Sequence, residues 1–503
     1  MARPLDSPLW YLLFLSPVVV LLLIHRKLSA SKRRLPPGPP GWPLFGNMFQ
    51  LGPMPHRTLA HLKDRYGPVV WLRIGATNTM AILSTKTAAE FFKNHDLSFA
   101  ERTITDMMRV NNYDKSSLAL APYGSYWRIM RRLVTVDMLV AKRLNETAHI
   151  RRKCVDDMLV WIAREANKLE EGRGLHVARY VFLMSFNLLG NLMLSRDLFD
   201  PESNEGSEFF TAMMGMMEWT GHANVVDLFP WLRWLDPQGL RRNMERDMGK
   251  ALVIASKFVK ERIEKQSTGE KAQRDFLDVL LEHLDNDTNE ESLNIFILEL
   301  FLAGSETTSS AIEWSLTELL CNPETLTKAK AELSEVVGSD RKVEESDIEN
   351  LPYLQAVIKE TLRLHPPIPM LVPRRAIHDT EFMGYFVPRH TQVFVNAWAI
   401  GRDPDAWEDP LAFKPERFLG SKIDYKGSHY ELIPFGAGRR MCAGVPLAHR
   451  TLHLVLSSLL HHFDWTLAGD VTPSTMDTRD RLGITMRKLE PLFALPKMVK
   501  SES

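Results

Sequence analysis

Apolar and polar positions divide this chain into segments before any single residue is considered. Leu9 to Ile24 is an uncharged, almost wholly apolar run of about 16 residues. Val69 to Ile74 and Thr79 to Leu83 are apolar runs of strand length. Gly75-Ala76-Thr77-Asn78 lies between them, so the pair predicts a hairpin in a small sheet. From Thr87 onward helical periods dominate. Ala121-Pro122-Tyr123-Gly124 punctuates a loop before a helix expected over Ser125 to Thr135. Residues 160 to 290 read as amphipathic helices, with loops at Asp200 to Glu205 and Gln266 to Gln273. Leu293 to Leu320 is the longest helical pattern, near 28 residues, or roughly 42 Å at 1.5 Å rise. A helix through Lys359 to Arg363 ends at Pro366-Pro367, and Val445 to Phe463 predicts a last helix. The fold class expected is mainly α with a small β region.

The first apolar run is a little short of the roughly 20 residues that cross a bilayer untilted. No small-residue cleavage site follows it; His25-Arg26-Lys27 and Lys32-Arg33-Arg34 do. Positive charge after the run keeps that side cytosolic, which predicts a retained signal anchor. Leu35-Pro36-Pro37-Gly38-Pro39-Pro40-Gly41 should be a stiff extended spacer. The organisation expected is therefore an anchor and basic flank at 1–34, a proline-rich hinge at 35–41 and a catalytic body at 42–503. Asn145 and Asn286 head Asn-x-Thr sequences, which stay unglycosylated if that body is cytosolic.

Composition narrows the class. The 503 residues hold 62 Lys and Arg against 62 Asp and Glu, which argues against nucleic acid as a global partner. Cys154, Cys321 and Cys442 lie too far apart in sequence for a disulfide framework or a tetrahedral zinc set. No Cys-x-x-Cys-His occurs, so covalent haem attachment is not indicated.

Candidate chemistry concentrates in Phe435-Gly436-Ala437-Gly438-Arg439-Arg440-Met441-Cys442-Ala443-Gly444. Glycines let backbone approach a flat ligand and adopt positive φ. A thiolate just before a helix is favoured by the positive helix end and can bind a metal. Arg440 is placed to meet an acidic group on the same ligand. An isolated cysteine is ordinarily a small buried hydrophobe; the frame argues otherwise here. Within the longest helical pattern, Ala303-Gly304-Ser305-Glu306-Thr307-Thr308 breaks the propensity rule, because glycine and successive hydroxyls are poor helix formers. Hydroxyls that bond the i−4 carbonyl bend a helix and make room for a ligand. Trp127 and Arg131 share a helix face, and Glu360 and Arg363 form an i,i+3 pair; both are common packing patterns taken alone. Met213-Met214-Gly215-Met216-Met217 reads as core packing before it reads as a substrate mouth.

Phe435, Gly438, Arg440, Cys442 and Gly444 match, position for position, the haem-binding signature of the cytochrome P450 family, the haem-thiolate monooxygenases. The resemblance implies haem b with Cys442 as axial thiolate, which favours O–O cleavage. It implies that Trp127, Arg131 and Arg374 bind haem propionates beside Phe435 and Arg440. It assigns Thr307 and Glu306 to proton delivery, and Glu360, Arg363 and Arg417 to a structural triad. Arg375 departs from the glutamate common in plant members. Substrate contacts are implied at Leu118, Leu120, Leu302, Ala303, Ile368, Leu371, Val372, Leu482, Gly483 and Ile484, an apolar set that suits a small lipophilic molecule. Family partners are O2, membrane lipid of the endoplasmic reticulum, and NADPH–cytochrome P450 reductase, which supplies electrons from NADPH. Arg128, Arg132, Lys142, Arg143, Arg151, Arg152 and Lys153 read either as a docking surface for that acidic donor or as a solvated helix face. Relatives that rearrange peroxides without a reductase tend to lack the acid–hydroxyl pair kept here. Arg151-Arg152-Lys153-Cys154-Val155 and Phe182-Leu183-Met184-Ser185-Phe186-Asn187 resemble the plant terpenoid-oxidising branch that holds geraniol hydroxylases and iridoid oxidases, closest to the latter.

Overall fold

A computed structural model describes residues 34–170, 172–200, 208–268, 275–282 and 290–499. The apolar run at 9–24 and Asn286 therefore lie outside the described residues, as does most of the stretch expected as loops near 200–205 and 266–273. The hairpin forms as expected: β1 (Val69–Ile74) pairs antiparallel with β2 (Thr77–Ile82). The turn is tighter than the sequence suggests. Thr77 and Asn78 join the ladder, because Gly75 takes φ +56° and closes the reversal within two residues. β3 (Glu101–Arg102), β4 (Arg374–Arg375) and β5 (Gln392–Val395) complete a five-stranded sheet in the order β1-β2-β5-β4-β3. β6 (Asp480–Leu482) and β7 (Met486–Lys488) form a separate hairpin.

Helices supply most of the remainder. α1 (Ser125–Arg132) continues as a π-helical turn over Leu133–Met138, where Thr135 returns its hydroxyl to the Arg131 carbonyl at 2.8 Å. α2 (Val177–Leu194) is buried on nearly every face. It is a core helix and not the amphipathic one expected there. α3 (Glu208–Gly221) lies along α4 (Leu240–Ser267), which runs through Gln266 where a loop was expected. Met213, Met216 and Met217 are buried in α3, so the methionines pack the core, as their composition suggests.

The long central pattern is two helices, not one. α5 (Glu290–Gly304) and α6 (Glu306–Cys321) meet at Ser305. Thr307 and Thr308 each bond the carbonyl four residues back, at 2.8 Å, which draws those carbonyls out of the ladder. Gly304 also lets α2 pack close: a Cβ there would lie 2.9 Å from Leu189 Cδ1 of α2, so that side chain would have to shift. α7 (Pro352–Leu364) and α8 (Val445–His462) pack against α6. Both α2 and the α5–α6 pair are long and apolar enough to cross a membrane, but 78% and 67% of those windows are buried, which makes them core. At their centre, Trp314 stacks on His365 with ring centroids 3.8 Å apart, and His365 meets Glu318 at 2.6 Å.

Candidate functional site

The loop ahead of α8 is shaped by two left-handed glycines, Gly436 at φ +71° and Gly438 at φ +69°. A side chain at Gly438 would also meet Asp96, with its Cβ 2.4 Å from Oδ1, so this glycine is needed twice over. Cys442 N–H donates to the Phe435 carbonyl at 3.0 Å, and Gly444 N–H donates to Cys442 Sγ at 3.3 Å. Cys442 is accessible to solvent, yet ringed closely enough that burial pushes its thiol up. The Gly444 N–H, the Arg131 guanidinium and the Val445 N–H act the other way. The ring of donors thus favours a thiolate where desolvation alone opposes one.

Three buried arginines surround this loop. Arg374 donates to Asp96 at 2.7 Å and to the Ala437 carbonyl at 2.9 Å. Arg440 donates to the Ala100 and Ala121 carbonyls at 2.8 and 2.6 Å and sits 4.4 Å over the Trp127 ring. Arg102 donates to the carbonyls of Ala119, Val372 and Arg440 at 3.0, 2.6 and 3.4 Å. Burial lowers the pKa of all three, and Arg440 falls to about 10 through burial and then Arg374. Among the described residues Asp96 is the one carboxylate ion-paired to this group, and it is shared with Arg439. Arg440 Nη1 has no partner among the described residues. The cluster holds an excess of buried positive charge, which anionic groups would stabilise.

Several predicted residues come together here. Trp127 Nε1 donates to the Leu118 carbonyl at 2.9 Å, and Arg131 Nη1 donates to the Met441 carbonyl at 2.7 Å. Leu371 contacts the loop at Gly436. Leu118, Leu302, Val372 and Phe435 are partly buried against the main core, Ala303 is exposed, and Ile368 is partly exposed. Leu120 is 4% exposed and packs in the main core. The β6–β7 hairpin brings Leu482, Gly483 and Ile484 to the α3 C-terminus, where a Cβ at Gly221 would lie 3.0 Å from Ile484 N. Met486 ties that hairpin to the Pro367 carbonyl at 2.8 Å and to Ser310 Oγ at 2.7 Å.

Glu306 and Thr307 point apart. The Thr307 hydroxyl donates to the Ala303 carbonyl at 2.8 Å. The Glu306 carboxylate ion-pairs with Arg487 of β7, and its second oxygen is buried without a partner among the described residues. Burial pushes the Glu306 carboxyl up, and Arg487 opposes that shift. Away from the cysteine, Arg363 holds both Glu360 oxygens at 2.7 Å, and Arg417 Nε adds a bond at 3.1 Å. Arg375 pairs with Glu101 at 2.7 Å across β3 and β4, which settles its charge balance locally.

Asp96, Arg102, Glu299 and Arg487 belong to the site and were not singled out from sequence. Apart from Ala119, 17 residues beyond Arg102, the partners cited for them lie from 180 to 343 residues away, so no local spacing points to them.

Comparison with known proteins agrees with this arrangement. The sequence profile described as Cytochrome P450 matches residues 36–493. The chain is 55% identical over 487 residues to Cytochrome P450 76A2 of Solanum melongena, covering 96% of each chain. It is 51% identical to the Iridoid oxidase of Catharanthus roseus over 95% of each chain. It is 41% identical to the Geraniol 8-hydroxylase of Catharanthus roseus, covering 97% of this chain and 99% of that one. A zebra fish cytochrome P450 solved with progesterone superposes with TM-score 0.74 at 26% identity, covering 88% of this chain and 99% of that one.

Proposed function

This chain belongs to the cytochrome P450 family, and we propose that within it the protein is an iridoid oxidase that converts nepetalactol to 7-deoxyloganetic acid. The family makes the protein a haem-thiolate monooxygenase with haem b, fed with electrons by a reductase. The residues present fit that group. Cys442 presents an accessible sulfur, and the buried arginines Arg102, Arg374 and Arg440 suit a ligand that brings two carboxylates. In this reading Cys442 ligates the iron, and Trp127, Arg131, Arg374 and Arg440 hold the propionates beside Phe435. When bound, the haem supplies an iron centre that activates dioxygen for insertion of one oxygen atom into a substrate C–H bond.

The chain's own residues then have three tasks. Thr307, on the broken helix turn, presents a hydroxyl that passes a proton toward the site. Glu306, which points away from Thr307 toward the partly exposed Arg487, is the acid by which protons enter from solvent and not a direct donor to that hydroxyl. The apolar side chains of Leu118, Leu302, Ala303, Ile368, Leu371, Val372 and Leu482 to Ile484 exclude water and hold a small terpenoid. Glu360, Arg363 and Arg417 keep the α7 end rigid.

The observation that carries the substrate assignment is the 51% identity to an iridoid oxidase across 95% of both chains. Taking a methyl group through alcohol and aldehyde to acid needs three successive turnovers, each consuming one O2 and one NADPH. A second reading, a monoterpenol or sesquiterpenoid hydroxylase, draws on the similarity to geraniol 8-hydroxylase. Microsomes holding this protein, a plant reductase and NADPH decide between them by mass spectrometry of products. Conversion of nepetalactol to the acid is expected. Hydroxylated geraniol or sesquiterpene with no iridoid product would replace the first reading by the second.

For location we propose an endoplasmic reticulum anchor at 9–24, the 35–41 hinge, and a catalytic body, 42–503, resting on lipid. Trp42, Leu44, Phe49, Trp231, Trp234 and Leu235 are all exposed. Phe45 and Phe229 join the two segments that carry them, with centroids 5.7 Å apart. Aromatics that gather beside a hinge leading to an apolar run suit a bilayer interface. Exposed Arg128, Arg132 and Lys142 suit the acidic reductase.

A further inference from the structure

Glu299 is a buried carboxylate on α5 with 6% exposure and no ion pair among the described residues. Burial pushes its carboxyl up, and the donors that meet it act against that shift. Ser117 Oγ donates to Oε1 at 2.7 Å, Ala119 N–H to Oε1 at 2.7 Å, and Leu118 N–H to Oε2 at 2.6 Å. All three donors come from one loop, so the acid serves as that loop's anchor. The loop's carbonyls are taken from the other side. Trp127 holds that of Leu118, Arg102 that of Ala119, and Arg440 that of Ala121.

A buried, unpaired acid costs stability unless its acceptors are filled, and such groups are kept where they define a single conformation. Here the conformation defined is that of residues 117–121. This loop carries Leu118 on the substrate side and is gripped by the same arginines that face the cysteine loop. Glu299 lies one helical turn before Ala303, which is exposed to the same site. We infer that Glu299 is a positioning residue for substrate specificity: by holding the 117–119 backbone it fixes the distance between Leu118 and the α5 wall. It does not touch substrate itself. The inference rests on Leu118 lining the substrate space, and not on nepetalactol being the substrate.

The test uses the full chain in lipid nanodiscs with reductase, and any terpenoid that the wild-type protein turns over. Glu299→Gln keeps the shape and volume but points an amide N–H2 at backbone donors. Amide exchange in the peptide spanning 117–119 should rise roughly tenfold or more, as charge-assisted bonds are lost. The reduced carbon monoxide band of the haem–thiolate should be retained, KM should rise more than kcat falls, and the ratio of product regioisomers should change. Glu299→Asp, which keeps the charge, should return part of the exchange protection and of the original ratio. Should Glu299→Gln not fold, Ser117→Ala removes a single donor and should shift the same readouts less, in the same direction. Unchanged exchange would overturn the anchoring. Faster exchange with unchanged KM and product ratio would overturn the specificity role.

Discussion

At the scale of single residues, the site depends on groups whose neighbours decide their chemistry. Cys442 is one of three cysteines, and the other two are raised by burial to thiol pKa values of about 12 for Cys154 and about 11 for Cys321. Only Cys442 combines accessibility with a donated N–H and a nearby guanidinium. Cys442→Ala should abolish the haem–thiolate absorption of the reduced, carbon monoxide-bound protein, read in an optical difference spectrum. Thr307→Ala removes a hydroxyl that, among the described residues, bonds the helix backbone alone, so the fold should persist. Peroxide released per NADPH consumed should rise roughly tenfold or more, the usual weight of a positioned proton donor; stoichiometry by oxygen electrode and peroxide assay checks it. The cysteine loop, Trp127, Arg131 and Thr307 could be proposed from sequence because each motif is contiguous or spaced by one helical turn, the Trp127–Arg131 pair only through the family resemblance. Asp96 and Arg102 were not, since their roles exist only once Gly438 and Arg440 have been folded against them.

At the scale of elements, two contacts carry separate consequences. The α7 end is fixed by Glu360 and Arg363, both fully buried and holding each other bidentately. Glu360→Ala strands the Arg363 charge and should cost about 3–5 kcal/mol, measured by urea unfolding of the haem-loaded protein. The second contact clasps the 104–110 segment to the 225–235 segment. Asp106 N–H donates to Asp227 Oδ1 at 2.6 Å, and the Asp106 carboxylate meets Arg233 at 2.7 Å. Burial raises the Asp227 carboxyl from 3.8 to about 6; the Asp106 N–H opposes the rise, the Asp106 charge adds to it, and Arg109 and Arg233 oppose it. An acid raised on folding binds its proton more tightly in the folded state. Its contribution to stability is therefore lost as pH rises from about 4 to about 6, and is constant above that. Asp227→Asn should raise Tm at pH 7.5 and lose that advantage by about pH 4; a scan of Tm against pH reads it directly. Helix lengths were legible from periodicity, and the break at Ser305 falls inside the 303–308 stretch that its poor helix formers and successive hydroxyls mark.

At the scale of the molecule, the exposed aromatics near 42–49 and 229–235 define one side of the body. Trp234 is 80% exposed and Trp231 59%, values that suit a lipid interface better than water. In nanodiscs with brominated lipid, fluorescence quenching of the full chain should fall when both Trp231 and Trp234 are replaced by Phe. Equal quenching in the variant would place this side in water.

The sequence by itself determined the chemistry. A cysteine in a glycine-rich loop and a broken hydroxyl-rich helix are local patterns, and each keeps its meaning at fixed spacing along the chain. It also determined the mainly α class, through a 3.6-residue period that survives without tertiary contacts. Only the tertiary structure decided which charges meet. Glu306 with Arg487, Glu299 with the 117–119 backbone and Asp96 with Arg374 join residues from separate elements. Such pairs leave no period and no fixed spacing, because packing of the intervening helices and strands brings them together. That packing makes a buried charge tolerable where the unfolded chain would simply hydrate it.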